Sequence, residues 1–232
     1  MARFCTLYSG SSGNSTYIGT GTGGILVDAG VSCKALLTAL SARDIRPDTI
    51  RGLFLTHEHI DHIKGVRVLL KKYAIPLFAS REPLEWLADR GELPSTGPVQ
   101  EISASTVIAA GDMEIRPFAT SHDSLSSFGY AVNLPDGRRI SVATDLGYVS
   151  DEVHQAIHGS DLVLLESNYD EAMLRCGPYP YPLKRRIASD SGHLSNDSSA
   201  PDPGGQRHHP SGAGASEQGV QSPGTGPGNG AQ

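Results

Sequence analysis

Four side chains able to hold a metal ion fall within six residues, His57, His59, Asp61 and His62, in the stretch Thr56-His57-Glu58-His59-Ile60-Asp61-His62. Three imidazoles and a carboxylate form a donor set suited to Zn²⁺ and similar ions. A single histidine in a polar loop is ordinarily just solvated. Four ligand types packed this closely point to metal-assisted chemistry, and the elements around them must explain how they converge.

The cluster is preceded by Ile50-Arg51-Gly52-Leu53-Phe54-Leu55, an apolar run that reads as a buried strand. If the backbone stays extended beyond it, His57, His59 and Asp61 project to one side at period two, and a turn into a helix brings His62 round. One short loop then feeds two adjacent metals. Two later segments end in the same way: Ile115 to Ala119 leads to His122, and Arg139 to Ala143 leads to Asp145. Asp161 to Leu165 is a further apolar run, read as a buried strand and closed by Glu166. Gly24 to Val27 ends at Asp28, which either caps the following helix or accepts a hydrogen bond from a metal ligand.

Between these strand ends the chain alternates. Ser9-Gly10-Ser11-Ser12-Gly13-Asn14-Ser15 is a turn-rich loop between strands near residues 4–9 and 16–18, with backbone N–H groups and hydroxyls accessible to a phosphate. Residues 33–43, 63–73 and 81–90 are predicted helices, residues 76–79 a short strand, and residues 107–118 a hairpin through Gly111-Asp112. His154 and His158, at i,i+4 on a helix from about Ser150, read as a solvated face, since no glutamate completes a protease motif. Pro178-Tyr179-Pro180-Tyr181-Pro182 reads as a rigid proline-aromatic segment running into Lys184, Arg185 and Arg186, either a packed loop or a surface for nucleic acid. Helices and strands alternate early and hairpins follow, which implies an α/β (α+β) sandwich with mixed sheets.

Composition narrows the class. With 232 residues a substantial core is available. A net charge of −6 excludes a globally basic nucleic-acid binder, so a polyanionic substrate needs a local basic patch or the metal charge. The three cysteines, Cys5, Cys33 and Cys176, lack any CxxC spacing, which fits reduced thiols and a cytoplasmic location. No stretch approaches the ~20 apolar residues of a membrane span, and no secretory leader pattern is present. From Asp197 to Gln232 the chain turns to Gly, Pro, Ser, Gln and Ala, with Val220 as the one large aliphatic residue after Leu194. Such a segment cannot bury enough apolar surface to offset its ordering entropy, so residues 1–196 are expected to form the domain and 197–232 a disordered tail in which His208 and His209 are bystanders.

The motif THEHIDH resembles the HxHxDH signature of the metallo-β-lactamase superfamily. With SGSSGNS, THEHIDHIKG, TSHDS, TDLG, LLESNYD, GPYPYPLKRRI and SDSGHLSN, the chain looks narrower still, like the YycJ/WalJ-type subgroup, which is similar in chemistry to the RNase J and RNase Z phosphodiesterases. The resemblance covers residues 4 to about 196. It implies a four-layer αβ/βα sandwich with two divalent ions at one edge, Zn²⁺ with Mn²⁺ as the alternative. By position, Asp28 resembles the first-motif aspartate, His57, His59, Asp61 and His62 the second motif, His122 the third, and Asp145 the aspartate that bridges both metals. Family members continue past GHLSN with a helix, a strand and a fifth-motif histidine, so the resemblance also implies that this fold lacks its last helix and strand. His193 is then a substitute ligand or a catalytic group.

On this resemblance His57, His59 and His122 hold one ion, and Asp61, His62 and Asp145 the other. A hydroxide shared by the two ions attacks phosphorus, Asp61 orients it, Ser11, Ser12 and Asn14 contact phosphate, and Lys184, Arg185 and Arg186 track the strand. The function implied is a DNA exonuclease, with DNA ahead of RNA as substrate and no membrane partner. The alternatives are a thioester or lactam hydrolase on the same site, and an inactive metal-binding remnant without the fifth histidine.

Overall fold

The computed structural model describes residues 2–93 and 97–200. The tail expected over 197–232 therefore lies outside the described residues from Pro201 onward, His208 and His209 included. Its expected start falls inside a single helical turn, Asn196–Ser199, capped by Ser195 Oγ.

Two sheets face each other. The first has six strands in the order β1 (Arg3–Tyr8), β2 (Ser15–Gly19), β3 (Gly24–Val27), β4 (Ile50–Phe54), β5 (Leu77–Ala79) and β6 (Val99–Glu101). It is antiparallel from β1 to β3 and parallel from β3 onward. The parallel half needs crossovers, which are supplied by α1 (Cys33–Ser41), α2 (Ile60–Ile63) with α3 (Val66–Lys72), and α4 (Arg81–Asp89). The second sheet runs β11 (Leu162–Leu165), β10 (Arg139–Ala143), β9 (Phe128–Asn133), β8 (Met113–Ala119) and β7 (Ile108–Ala110), with α5 (Asp151–Ile157) before β11. Beyond β11 lie α6 (Glu171–Cys176), α7 (Tyr181–Ile187) and the turn α8 (Asn196–Ser199).

The period of two along the strands sorts the core into layers. Leu26, Leu53 and Leu77 face α1, α3 and α4, where Leu36, Leu40, Leu69 and Leu87 meet them. Their neighbours Ile25, Val27, Phe54 and Phe78 face the second sheet and pack on Ile115, Tyr130 and Val142. Phe54 and Phe78 stack at 4.6 Å between ring centroids, with Tyr130 edge-on to Phe54 at 5.5 Å. Val153 of α5 covers the outer face of the second sheet against Phe118, Ala131 and Ala143. Helix, sheet, sheet and helix give the four layers that the resemblance implies.

Four expectations need correction. The helix over 63–73 is two helices, because Gly65 is drawn against the β3–α1 loop: its N–H donates to Ala29 O at 2.8 Å, and a Cβ there would lie 2.4 Å from Val31 O. The proline-aromatic segment is helical from Tyr181, since Pro182 sits in the first turn, where its missing N–H costs nothing. β9 and β6 are strands beyond those that the sequence pattern predicts. β11 is not a buried strand: among the described residues it pairs only with β10, and as an edge strand it leaves Leu162 37% and Val163 39% exposed.

Candidate metal centre

The functional side chains gather where strands of both sheets end. β4 delivers Thr56 and His57, but the extended run stops at His59, which is the N-cap of α2. Asp61 and His62 therefore lie in a helical turn, not on a continued period of two, so helical geometry rather than strand alternation aims them. That turn is held by backbone: Ala29 N donates to His62 O at 2.9 Å and Asn14 N to Asp61 O at 2.7 Å. Gly30 allows the approach, for a Cβ there would fall 1.5 Å from Asp61 O. β8 leads to His122, β10 to Asp145 and β11 to Glu166. Asp28 and Asp145 both have positive φ, 63° and 53°, an uncommon backbone for a residue with a side chain and one that turns each carboxylate off its strand end toward the centre.

Three groups of donor atoms converge within 4.8 Å: His57, His59 and His122; His57, His62 and Asp145; and Asp145, Glu166 and His193. The first two share His57 and the last two share Asp145. His57 touches three other imidazoles, with centroids 4.5 Å from His59, 4.1 Å from His62 and 4.8 Å from His122. Asp61 joins through Oδ2, which is 3.5 Å from His62 Nε2.

A buried hydrogen-bond chain sets which nitrogen of each ring is free. Asp28, 2% exposed, accepts from Thr56 N and from Thr56 Oγ1, both at 2.8 Å, and from His62 Nδ1 at 2.8 Å. The Thr56 hydroxyl gives its one proton to Asp28, so it accepts from His57 Nδ1 at 3.0 Å. The lone pair of His57 is thereby on Nε2, a buried atom with no hydrogen-bond partner among the described residues. An orphaned buried acceptor is costly unless something fills the space before it, and a divalent cation fits that donor set. Burial, with the neighbouring histidines adding to it, lowers the His57 pKa far below the imidazole range, and burial lowers that of His122. Both rings are neutral donors. Asp28 thus supports His62 and does not cap α1, whose N-terminus is capped by Ser32 Oγ.

His62 differs. Burial alone would lower its pKa, but the carboxylates of Asp28, Asp145 and Asp61 raise it well above the ordinary value. Its Nε2 stands 3.0 Å from Asp145 Oδ2, a point where positive charge is favoured. Burial would raise Asp145, yet hydrogen bonding and charge from His62, with His57 and His122, hold it well below the usual carboxylate range. His193 Nδ1 lies 2.7 Å from Glu166 Oε1 and 3.5 Å from Asp145 Oδ1, and the hydrogen bond to Glu166 raises its pKa. Glu166 also accepts from Leu146 N and Leu194 N.

A cavity of about 750 Å³ opens over this centre. Of the proposed substrate contacts, Ser11, Asn14 and Arg186 line it, while Ser12, Lys184 and Arg185 are not among its lining residues. Lys184 Nζ is turned to Arg175 O at 2.7 Å. Asn14 Nδ2 is 3.4 Å from Asp61 Oδ2 and 3.1 Å from His62 Nε2, which ties the serine-glycine loop to the donors. Sequence alone assigns no role to Glu166 or Thr56. Glu166 carried a signal, a carboxylate closing an apolar strand as Asp28 does, whereas the role of Thr56 rests on contacts with a residue 28 positions away.

The chain matches the beta-lactamase superfamily domain family over residues 24–200. It is 40% identical over 201 residues to exodeoxyribonuclease YycJ of Bacillus anthracis, covering 85% of this chain and 75% of the relative. It is 36% identical over 200 residues to exodeoxyribonuclease WalJ of Streptococcus pneumoniae, covering 85% and 74%. Among solved structures, the metallo-beta-lactamase fold protein YhfI of Bacillus subtilis superposes with a TM-score of 0.63 at 17% identity, over 84% of this chain and 78% of that one, a likeness of fold.

Proposed function

The chain belongs to the metallo-β-lactamase superfamily of hydrolases, and from that premise we propose a phosphodiesterase that removes nucleotides from the ends of DNA with two divalent ions as cofactor. The observation that carries this reading is the pair of donor groups meeting at His57, one with His59 and His122, the other with His62 and Asp145. In this proposal Asp61 and Asp145 would complete the second set, next to the first. An imidazole-rich set suits Zn²⁺, with Mn²⁺ as the alternative. When bound, such ions act as Lewis acids toward a phosphoryl oxygen and lower the pKa of water toward ~7.

The chain's own groups supply the remainder. Asp61, partly exposed at the cavity, would orient the attacking water. His193, held through Nδ1 by Glu166, is a general acid that protonates the departing oxygen from its other nitrogen. Ser11 and Asn14 present polar groups to the phosphate from one side and Arg186 from the other. The nuclease names of the two relatives, at 40% and 36% identity, favour nucleic acid, DNA ahead of RNA, over a thioester or lactam. Among the described residues no helix is long and apolar enough to cross a membrane.

The test is metal analysis by mass spectrometry together with hydrolysis of end-labelled DNA, bis-p-nitrophenyl phosphate, a thioester and a lactam on one preparation. About two ions per chain and diester hydrolysis abolished by a chelator are expected. Activity confined to the thioester or lactam would overturn the proposal, and a chain binding no metal would remove its basis.

A further inference from the structure

Residues 168–195 form a strap tied at its base. Asn168 N donates to Leu194 O at 2.9 Å, Asn196 N donates to Tyr169 O at 2.8 Å, and Tyr169 and Ser195 form a parallel bridge. Between these ties the strap carries α6 and α7, and neither helix has a buried residue. Its apolar side chains are therefore not consumed by a core. Instead Leu174, Tyr179, Leu183 and Ile187 line the cavity over the metal centre, and Tyr179 is 54% exposed. The other wall, from Ser9, Gly10, Ser11 and Asn14, is polar apart from the neighbouring Tyr8, whose hydroxyl is committed to Ala35 O at 3.2 Å.

An apolar, partly aromatic wall facing a polar one matches a ligand with one flat apolar part and one charged part. Among the described residues Arg186 is the single Arg or Lys of the cavity lining, beside five carboxylates. It is paired with Asp123, and with the two side chains 59% and 27% exposed the pair is weak and open to exchange for a phosphate, which guanidinium binds in a bidentate manner. The ions of the proposed centre and Arg186 would hold the phosphate at the strand end, but no row of cations among the described residues lines the cavity to track the rest of the nucleotide, so recognition of its base must come from elsewhere. Stacking on an aromatic ring supplies it without regard to sequence, because every base has a flat face.

We infer that the strap wall centred on Tyr179 is a nucleobase subsite, which takes the base of the nucleotide at the strand end while its phosphate stays between the polar wall and Arg186. This rests on the phosphodiesterase reading of the metal centre. It makes Tyr179 a specificity-determining residue and the strap the element that favours an intact nucleotide at the end of a strand. The segment Gly177-Pro178-Tyr179-Pro180 is suited to stacking, because proline on each side restricts the backbone around the ring and little freedom is lost when a base settles on it.

The experiment is fluorescence anisotropy with the full, metal-loaded chain and labelled oligonucleotides that carry either a normal or an abasic residue at the 5′ end, and in a second set at the 3′ end. For one of the two ends, loss of the base is expected to weaken binding about 5- to 150-fold, the equivalent of one stacked base. Tyr179→Ala should bring that ratio to near one, and Tyr179→Phe, which keeps the ring, should restore it. Equal binding of base and abasic ends by the native protein would overturn the inference. So would a Tyr179→Ala variant that weakens both ligands equally, since that is the signature of a structural role. If neither oligonucleotide binds while bis-p-nitrophenyl phosphate is still hydrolysed, the subsite fails and the phosphodiesterase stands. Loss of both removes the two readings together.

Discussion

Replacing Asp28 by Asn tests the buried chain that orients the donors. Asn is close to isosteric and tolerates the left-handed backbone at φ 63°, so the backbone need not move. The amide oxygen can still accept from Thr56 N, but the group that faces His62 Nδ1 at 2.8 Å becomes an N–H donor. Two donors cannot face each other at that distance. A metal on His62 would need the neutral ring with its proton on Nδ1 and its lone pair on Nε2, the nitrogen directed at Asp145 Oδ2; opposite an amide N–H the Nδ1 proton is disfavoured, and the neutral ring keeps its proton on Nε2 instead. Asp28 itself is only 2% exposed, so little water reaches it to repair the mismatch. A hydrogen bond to a buried charge contributes about 1.5–3 kcal/mol, which corresponds to roughly 10- to 150-fold in an equilibrium constant. That agrees with the ~10- to 100-fold cost of removing the partner of a metal-bound histidine. The assay is competition with a chromophoric chelator, with circular dichroism as a check on the fold. Metal affinity in Asp28→Asn should fall by one to two orders of magnitude while Thr56→Ser, which keeps the hydroxyl, retains the native value. An unchanged affinity in folded Asp28→Asn would refute the tautomer argument.

Three further outcomes follow from the same geometry. Gly30→Ala drives a methyl group into the Asp61 carbonyl, and relief requires parting the loops that hold the donors, so a loss of about 2–3 kcal/mol and a melting temperature lower by about 5–10 °C are expected in a thermal melt. His122→Ala removes one member of the group with His57 and His59 but leaves His57, His62 and Asp145 in place, so metal analysis should find about half the native content instead of none. Leu162→Lys on the exposed edge strand β11 puts a charge where unpaired backbone invites another chain, and light scattering at rising protein concentration should show less self-association with no loss of melting temperature. An equal or greater tendency to associate would show that the β11 edge is already protected.

The donor residues that the fold brings together were legible in the sequence because they are rare in kind and close in spacing. His57, His59, Asp61 and His62 sit within six positions, and His122 and Asp145 each close a strand whose apolar pattern is plain. The two-sheet fold followed from the same alternation, which is a local property of the chain. Three other features were not local. The helix break at Gly65 depends on a carbonyl from the β3–α1 loop, and the edge position of β11 depends on which strands find neighbours. The part played by Thr56 depends on a carboxylate 28 residues away in sequence. Spacing named the atoms that can bind a metal; only the folded chain decided which nitrogen of each ring carries the proton. That choice is made by hydrogen bonds between strand ends brought together by burial, and no periodicity in the sequence encodes them.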